Sequence, residues 1–313
     1  MWVTFRLTKK YYLNGKINPN NRSVFITGCD TGFGHLLAKR LDSKGYHVFA
    51  GCLFKPGPGS EELKKSCSNR LKTLELDVTK DYSVKGASDF IKENLGSTKL
   101  WAVVNNAGIA KGWGVEFSSF KDFRDTMDVN AFGMLRVTKA FLPLIRRSKG
   151  RIVNVTSNAG RAPLPHGTTY CMSKHAASGF TDCLRQEVAE LGVKVIAIEP
   201  EMFSTPLTSP EHVNKRFDCM IEDLDEEVKT GYGKKYLKNL KIFKNVFLKS
   251  TCSDVQNVID DLESSISLVY PDSIYRPRGN VMSRTALLTY QMMPASIQDF
   301  IFGCLVFVAS LQQ

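Results

Sequence analysis

No CxxC pair occurs in the chain, although it holds eight cysteines: Cys29, Cys52, Cys67, Cys171, Cys183, Cys219, Cys252 and Cys304. That scatter argues against a zinc site or a redox dithiol, and no metal is expected. The thiols read as free, small core residues in a reducing compartment. No apolar run approaches the ~18–20 residues that a bilayer-crossing helix needs. Internal repeats and low-complexity stretches are absent, which excludes arrays and disordered tracts. Acid is missing from residues 1–29, which carry Arg6, Lys9, Lys10, Lys16 and Arg22. An apolar h-region is missing there too, so a secretory signal is excluded.

What remains is an ordinary folded composition. The chain has 313 residues, 43% hydrophobic and 23% charged. That length fits one large α/β domain or two small ones. The formal charge of +11 suits an anionic membrane surface, nucleic acid or a mitochondrial matrix protein. No aromatic–basic motif of nucleic-acid binding accompanies it, so nucleic acid is not an expected partner. Trp2, Phe5, Leu7, Tyr11, Tyr12 and Leu13 are interleaved with the N-terminal cations. Residues 1–21 therefore read as a mitochondrial transit segment, or as a basic arm that is solvated or lies on anionic lipid. Within the apolar segment 291–313, Phe300 to Ala309 (FIFGCLVFVA) suits a helix at a membrane interface or one packed on the core.

Apolar, β-branched runs alternate with helical periodicity. Strands are expected at 23–27, 47–53, 71–76, 100–104, 151–156 and 193–198. Helices are expected at 33–41, 61–66, about 84–91, 123–145 and 170–191, with Pro143 near the end of the fourth. Nearly all-apolar strands alternating with helices mean a doubly wound parallel sheet, covered on both faces. The expected strand order is 3-2-1-4-5-6-7. After Pro200 the rhythm changes. Residues 201–250 hold an acidic run and then lysines interleaved with Tyr232, Tyr236, Leu237, Leu240, Ile242, Phe243, Val246 and Phe247. No linker precedes them, so they read as a lid inserted into one domain, residues 22–290.

Three motifs carry chemistry. Thr27-Gly28-Cys29-Asp30-Thr31-Gly32-Phe33-Gly34 joins the first strand to the first helix. Glycines there let a pyrophosphate approach the helix N-terminus, whose free N–H groups and dipole favour an anion. Asn105-Asn106-Ala107-Gly108 follows the fourth strand, where open α/β sheets bind ligands. Tyr170 and Lys174 sit one helical turn apart, so an ammonium lies beside a phenol and favours its ionisation. Upstream, Ser157 ends the strand RIVNVT and offers a hydroxyl to the same oxygen. Asn130 stands inside a helix that Asn does not favour, so its amide has another use.

As a set, these motifs resemble the short-chain dehydrogenase/reductase family over about residues 22–290. The resemblance implies a Rossmann fold and hydride exchange between a nicotinamide cofactor and an alcohol. It implies a tetrad of Ser157, Tyr170, Lys174 and Asn130. Tyr170 is then the acid/base, Lys174 holds the nicotinamide ribose, Ser157 steadies the reacting oxygen, and Asn130 supports a proton-relaying water. Gly28, Asp30, Gly32, Phe33, Gly34 and Asn106 would meet the cofactor. Asp77 and Val78 would lie at the adenine, and Thr205 at the carboxamide. One departure is Glu201, where many members have glycine after the proline of Glu199-Pro200. It either disturbs nicotinamide seating or points to solvent.

The second strand ends in Cys52 and Leu53 instead of an acid, Thr31 is not basic, and Lys55 is the nearest cation. NAD is expected over NADP. Segments such as GCDTGFGHLLAKRLDSKGYHVFAGCL, KAFLPLIRRSKGRIVNV and GYGKKY resemble the mitochondrial D-3-hydroxybutyrate dehydrogenase branch. TGCDTGFG and YCMSK are shared with the microsomal retinol and 17β-hydroxysteroid dehydrogenase branch. The first resemblance implies a small hydroxy acid, a phospholipid surface and a mitochondrial address. The second implies a lipophilic alcohol and the endoplasmic reticulum membrane. Lys111, Arg161 and His166 are the candidate carboxylate partners. Trp113, Phe117, Leu164, Met202 and Phe203 are the candidate apolar walls. A homodimer or homotetramer, paired through the two long helices, is implied by the family. A nucleotide-binding protein without turnover remains the alternative that Glu201 and the missing acid allow.

Overall fold

The computed structural model describes residues 15–249, 251–278, 289 and 293–311, without the side chains of 246, 247, 302 and 305–311. Most of the basic arm, the end of the expected domain at 290 and much of the apolar C-terminal segment lie outside that description.

The first half alternates as expected: β1 (Arg22–Thr27), α1 (Gly32–Ser43), β2 (His47–Cys52), α2 (Pro58–Ser66), β3 (Leu71–Glu75), α3 (Asp81–Asn94) and β4 (Lys99–Asn105). Next come α4 (Phe120–Met127), a π-helical turn (Asp128–Gly133), α5 (Met134–Ser148), β5 (Arg151–Val155), α6 (Thr168–Glu187) and β6 (Lys194–Ile198). Last are α7 (Pro210–Glu222), α8 (Glu226–Lys249), α9 (Gln256–Ser267), β7 (Ile274–Tyr275) and α10 (Ala295–Leu311). The sheet runs β3-β2-β1-β4-β5-β6-β7, with every paired strand parallel. The chain reverses direction of growth between β1 and β4, and that switch opens a crevice at their carboxyl ends.

Alternation along the strands builds two cores. Val24, Ile26, Val104 and Val153 face Leu37, Leu41, Val258 and Leu262. On the other side, Phe25, Val103, Ile152 and Val195 face Val84, Ile91, Val137, Phe141 and Leu184. Successive side chains on a strand point to opposite faces, so a fully apolar strand feeds both. The 201–250 stretch is helical. α7 and α8 pack Val213, Phe217, Met220, Leu224 and Leu240 around Trp113 and Phe117, a third core beside the crevice. α8 is broken at Gly233, whose φ of +75° a side chain would resist.

Two details depart from the sequence reading. The long helix expected at 123–145 is interrupted by the π-helical turn, and Pro143 lies inside α5, which continues to Ser148. The described part of the N-terminal arm is not free: Lys16 bridges to Leu268, and the Ile17 N–H donates to the Ser267 carbonyl at 2.7 Å. Arg151, almost wholly buried, ties β5 to the same corner. It donates to the carbonyls of Ser265, at 2.6 Å, and of Leu268. Those are carbonyls at the end of α9, where a cation is favoured. Burial lowers its guanidinium to about 10.

Candidate active site

The glycine-rich turn leaves β1 and enters α1, whose first turn has no side-chain cap and no acidic residue. Its leading N–H groups are therefore available to an anion. A Cβ on Gly34 would stand 2.4 Å from the Gly28 carbonyl oxygen and 2.5 Å from Asn106 Nδ2. Gly28 has φ +69°, and a Cβ there would stand 2.8 Å from Ala107 Cα. The close packing holds the turn against the end of β4. Thr27 Oγ1 accepts from the N–H groups of Asn106 and Ala107, both at 3.0 Å. Asn106 Nδ2 donates to the carbonyls of Thr27 (2.9 Å) and Gly28 (3.0 Å). The second motif thus locks the first.

Around this turn lies a cleft of about 260 Å³. Gly28, Asp30, Gly32, Phe33, Asp77, Val78, Asn106 and Thr205 line it. Gly34 sits just behind, in the packing described. Asp30 does more than line the wall. Its carboxylate accepts the N–H groups of Leu53 (2.8 Å) and Phe54 (3.0 Å), which places an acid at the end of β2. Lys55 turns away and donates to the Thr73 carbonyl at 2.7 Å.

The tetrad candidates converge at the next strand end. Ser157 follows β5 beside Tyr170, and its hydroxyl donates to Asn158 Oδ1 at 3.2 Å. It also accepts the Ala159 N–H at 3.1 Å. Burial pushes the Tyr170 phenol up to about 12, and the neighbouring Ser157 hydroxyl opposes that only in part. Lys174 Nζ donates to the Val155 carbonyl at 3.0 Å and lies 5.6 Å from the Tyr170 ring centroid. Burial lowers it to about 8. For the phenol, desolvation by burial outweighs the neighbouring charge of Arg216.

Asn130 sits in the π-helical turn. Its Oδ1 accepts the Ile109 N–H, and its Nδ2 donates to the Ile109 carbonyl and to Ser173 Oγ, each at 2.9 Å. Ser173 Oγ donates to the Tyr170 carbonyl at 2.7 Å. The amide therefore braces the NNAG loop against the tyrosine's helix. π-Helical turns inside α-helices are frequent at functional sites.

A second cavity of about 230 Å³ opens from Ser157 and Tyr170 toward the lid. Its walls include Trp113, Pro163, Leu164, Met202, Leu207, Val213 and Phe243. Of the apolar candidates, Phe117 is instead spent in the third core, tilted against Tyr232 and stacked on Tyr236. Phe203 packs edge-on to Phe33. Of the cation candidates, His166 lines the cavity, and burial lowers its pKa, favouring the neutral ring. Lys111 is paired with Asp125 at 2.7 Å. Arg161 is committed elsewhere. It binds Asp182 and the buried Glu199, each at 2.7 Å, and Glu199 also holds Arg276. Glu201 lines the cavity but does not face open solvent; it pairs with Arg278 at 3.4 Å.

Sequence reading missed Ser173 and Arg216. Arg216 on α7 lines the cavity beside Tyr170. The available signal was helical spacing: Val213, Phe217 and Met220 define the buried face of α7, and Arg216 falls on it.

The short chain dehydrogenase family profile matches residues 22–215. The chain belongs to that family. It is an oxidoreductase of the alcohol dehydrogenase kind that works with a nicotinamide cofactor. The chain is similar to estradiol 17-beta-dehydrogenase 2 of Mus musculus, 39% identical over 90% of this chain and 74% of that one. It is 37% identical to mitochondrial D-beta-hydroxybutyrate dehydrogenase of Mus musculus, over 94% of this chain and 88% of that one. A short chain dehydrogenase/reductase from Burkholderia phymatum in complex with NAD shares the fold. Its TM-score is 0.68 at 18% identity, covering 87% of this chain and 93% of that one. The glycine turn and free helix end of this short-chain dehydrogenase suit a dinucleotide, because the cradle has no room for side chains and leaves backbone donors exposed.

Proposed function

We propose that this enzyme interconverts a secondary alcohol and its ketone with NAD, the pair favoured by the sequence being D-3-hydroxybutyrate and acetoacetate. The observation that carries the reaction is that Ser157 and Tyr170 together line an apolar cavity next to the glycine-turn cleft. Gly28, Asp30, Phe33 and Asn106 would hold NAD, which when bound would supply the acceptor for the carbinol hydride. Tyr170 takes the hydroxyl proton, so one hydride and one proton leave the alcohol and a C=O bond forms. Ser157 holds the oxygen on which that proton moves. Lys174 stands one turn away on the same helix, where its ammonium favours the phenolate. Asn130 positions the loop and the helix on which these groups ride. In reduction, Tyr170 returns the proton.

Asp30 supports NAD over NADP. Its carboxylate lies at the end of β2, where a ribose hydroxyl is a good partner and a 2′-phosphate is repelled. Glu201 is compatible with a seated nicotinamide, because Arg278 neutralises it. The exposed Phe132, Leu135 and Met172 support pairing between copies of the chain through α5 and α6. Among the described residues, no helix is long and apolar enough to cross a membrane. The mitochondrial address and a phospholipid contact through the lysines of α8 rest on the basic residues and on the hydroxybutyrate relative.

The apolar walls favour one further reading, a retinol- or steroid-like alcohol in the endoplasmic reticulum. A single assay separates them: NADH formation from D-3-hydroxybutyrate, all-trans-retinol and estradiol, with phosphatidylcholine vesicles present, and particle mass by light scattering. Turnover of the hydroxy acid by a dimer or tetramer is expected. Turnover of retinol or estradiol alone moves the enzyme to the other branch.

A further inference from the structure

Arg216 has an unusual situation for a guanidinium. It stands on the buried face of α7 and lines the cavity that opens from Ser157 and Tyr170. Its Nη1 donates to the Ala110 carbonyl at 2.6 Å, and its Cζ lies 5.2 Å from the centroid of Trp113. Its Nε is buried and has no hydrogen-bond partner. Among the described residues, no carboxylate lies within ion-pair distance of it. A half-paired guanidinium in an apolar cavity is costly unless an anion completes it.

The other ionisable groups on the wall do not play this part. Lys111 is spent on Asp125. Glu201, which would repel an anion, is covered by Arg278. His166 is held edge-on to Phe243 and is favoured neutral. Arg216 is also placed in register with the chemistry. Asn130 grips both backbone groups of Ile109, and Arg216 grips the next carbonyl. The guanidinium and the Tyr170 hydroxyl are close enough that each perturbs the other's ionisation, the charge favouring the phenolate.

We propose that Arg216 is the substrate's anion anchor: it binds a carboxylate, and the substrate is an amphiphilic hydroxy acid whose apolar body lies against Leu164, Leu207 and Val213. The inference rests on the reaction proposed above and narrows its substrate class. The guanidinium fork suits a carboxylate, which the part of Arg216 that lines the cavity would bind. The guanidinium lies over the Trp113 ring, and lysine lacks the planar fork, so it is an imperfect substitute.

The test measures binding apart from turnover. Hexanoate and hexanamide differ in charge and little in shape. Each is titrated calorimetrically into the enzyme saturated with NADH, for the wild type, Arg216→Lys, Arg216→Met and Tyr170→Phe. The wild type is expected to bind hexanoate about ten- to a hundredfold more tightly than hexanamide, the range for a charged hydrogen-bond pair. In Arg216→Met that ratio collapses toward one, and Arg216→Lys recovers part of it. Equal binding of the two probes by the wild type overturns the proposal. So does an equal loss of both probes in Arg216→Met, which marks a purely structural tie between lid and loop. Tyr170→Phe should keep the wild-type ratio. If no secondary alcohol is oxidised while hexanoate still outbinds hexanamide, the reaction assignment fails and the anion site stands.

Discussion

Lys174 shows how one residue can trade stability for chemistry. Its ammonium is almost wholly buried, and the Val155 carbonyl is its hydrogen-bond acceptor in the structure. Burial lowers it from 10.5 to about 8. Between those values the unfolded chain binds the proton more tightly than the folded one. The folded state is therefore penalised fully below about pH 8, and the penalty fades as pH rises toward 10.5. Lys174→Met should stabilise the protein at pH 7 by up to about 3 kcal/mol and should lower turnover. The gap should shrink to under about 1 kcal/mol by pH 10. Urea unfolding of both proteins at the two pH values reads this directly; a Met variant less stable at pH 7 contradicts it. The Tyr170–Lys174 pair and Ser157 were legible in the sequence because helix spacing and strand-end position are local facts. Arg216 was not, since its meaning lies in a partner it lacks.

At the scale of elements, the glycine turn is held by contacts and not by flexibility. Gly34→Ala would push a methyl against the Gly28 carbonyl and the Asn106 amide, both already used to fasten β1 to β4. Overpacking of this kind costs about 1–3 kcal/mol. Weaker NADH binding together with a lower melting temperature is expected, read by NADH fluorescence titration and thermal denaturation. An unchanged affinity would mean that the turn relaxes freely. The helix that carries Asn130 was only half legible. Its apolar periodicity marks helix from 123 to 145, but the π-helical turn depends on Ile109 and Ser173 drawing the amide aside. Those contacts are tertiary, so single-sequence periodicity does not reveal them. Asn105 tells the same story. Its amide donates to Asn154 at 2.8 Å and to Thr138 at 3.1 Å, a buried polar tie between β4, β5 and α5 that reads in sequence as a strand end.

Over the whole molecule, strand order follows from alternation. Six apolar strands with intervening helices leave few right-handed, parallel solutions, and the sheet adopts the expected one. The lid was legible only as a break in rhythm, because its core forms with Trp113 and Phe117 from a distant loop. The positive charge is also a whole-molecule property, and it was silent about the fold. What the fold does is bring the glycine-turn cleft and an apolar cavity walled by α7 and α8 together near one tyrosine. Tyr170→Phe therefore tests the account most directly. It keeps the ring and removes the hydroxyl proposed to move the proton. NADH formation should be followed at 340 nm for wild type and variant, with whichever alcohol the wild type oxidises, at saturating NAD. A fall of about a hundred- to ten-thousandfold in kcat, the usual range for a general acid or base, with NADH affinity retained, is the predicted result. Full activity in the variant would contradict the assignment of Tyr170 as the acid/base.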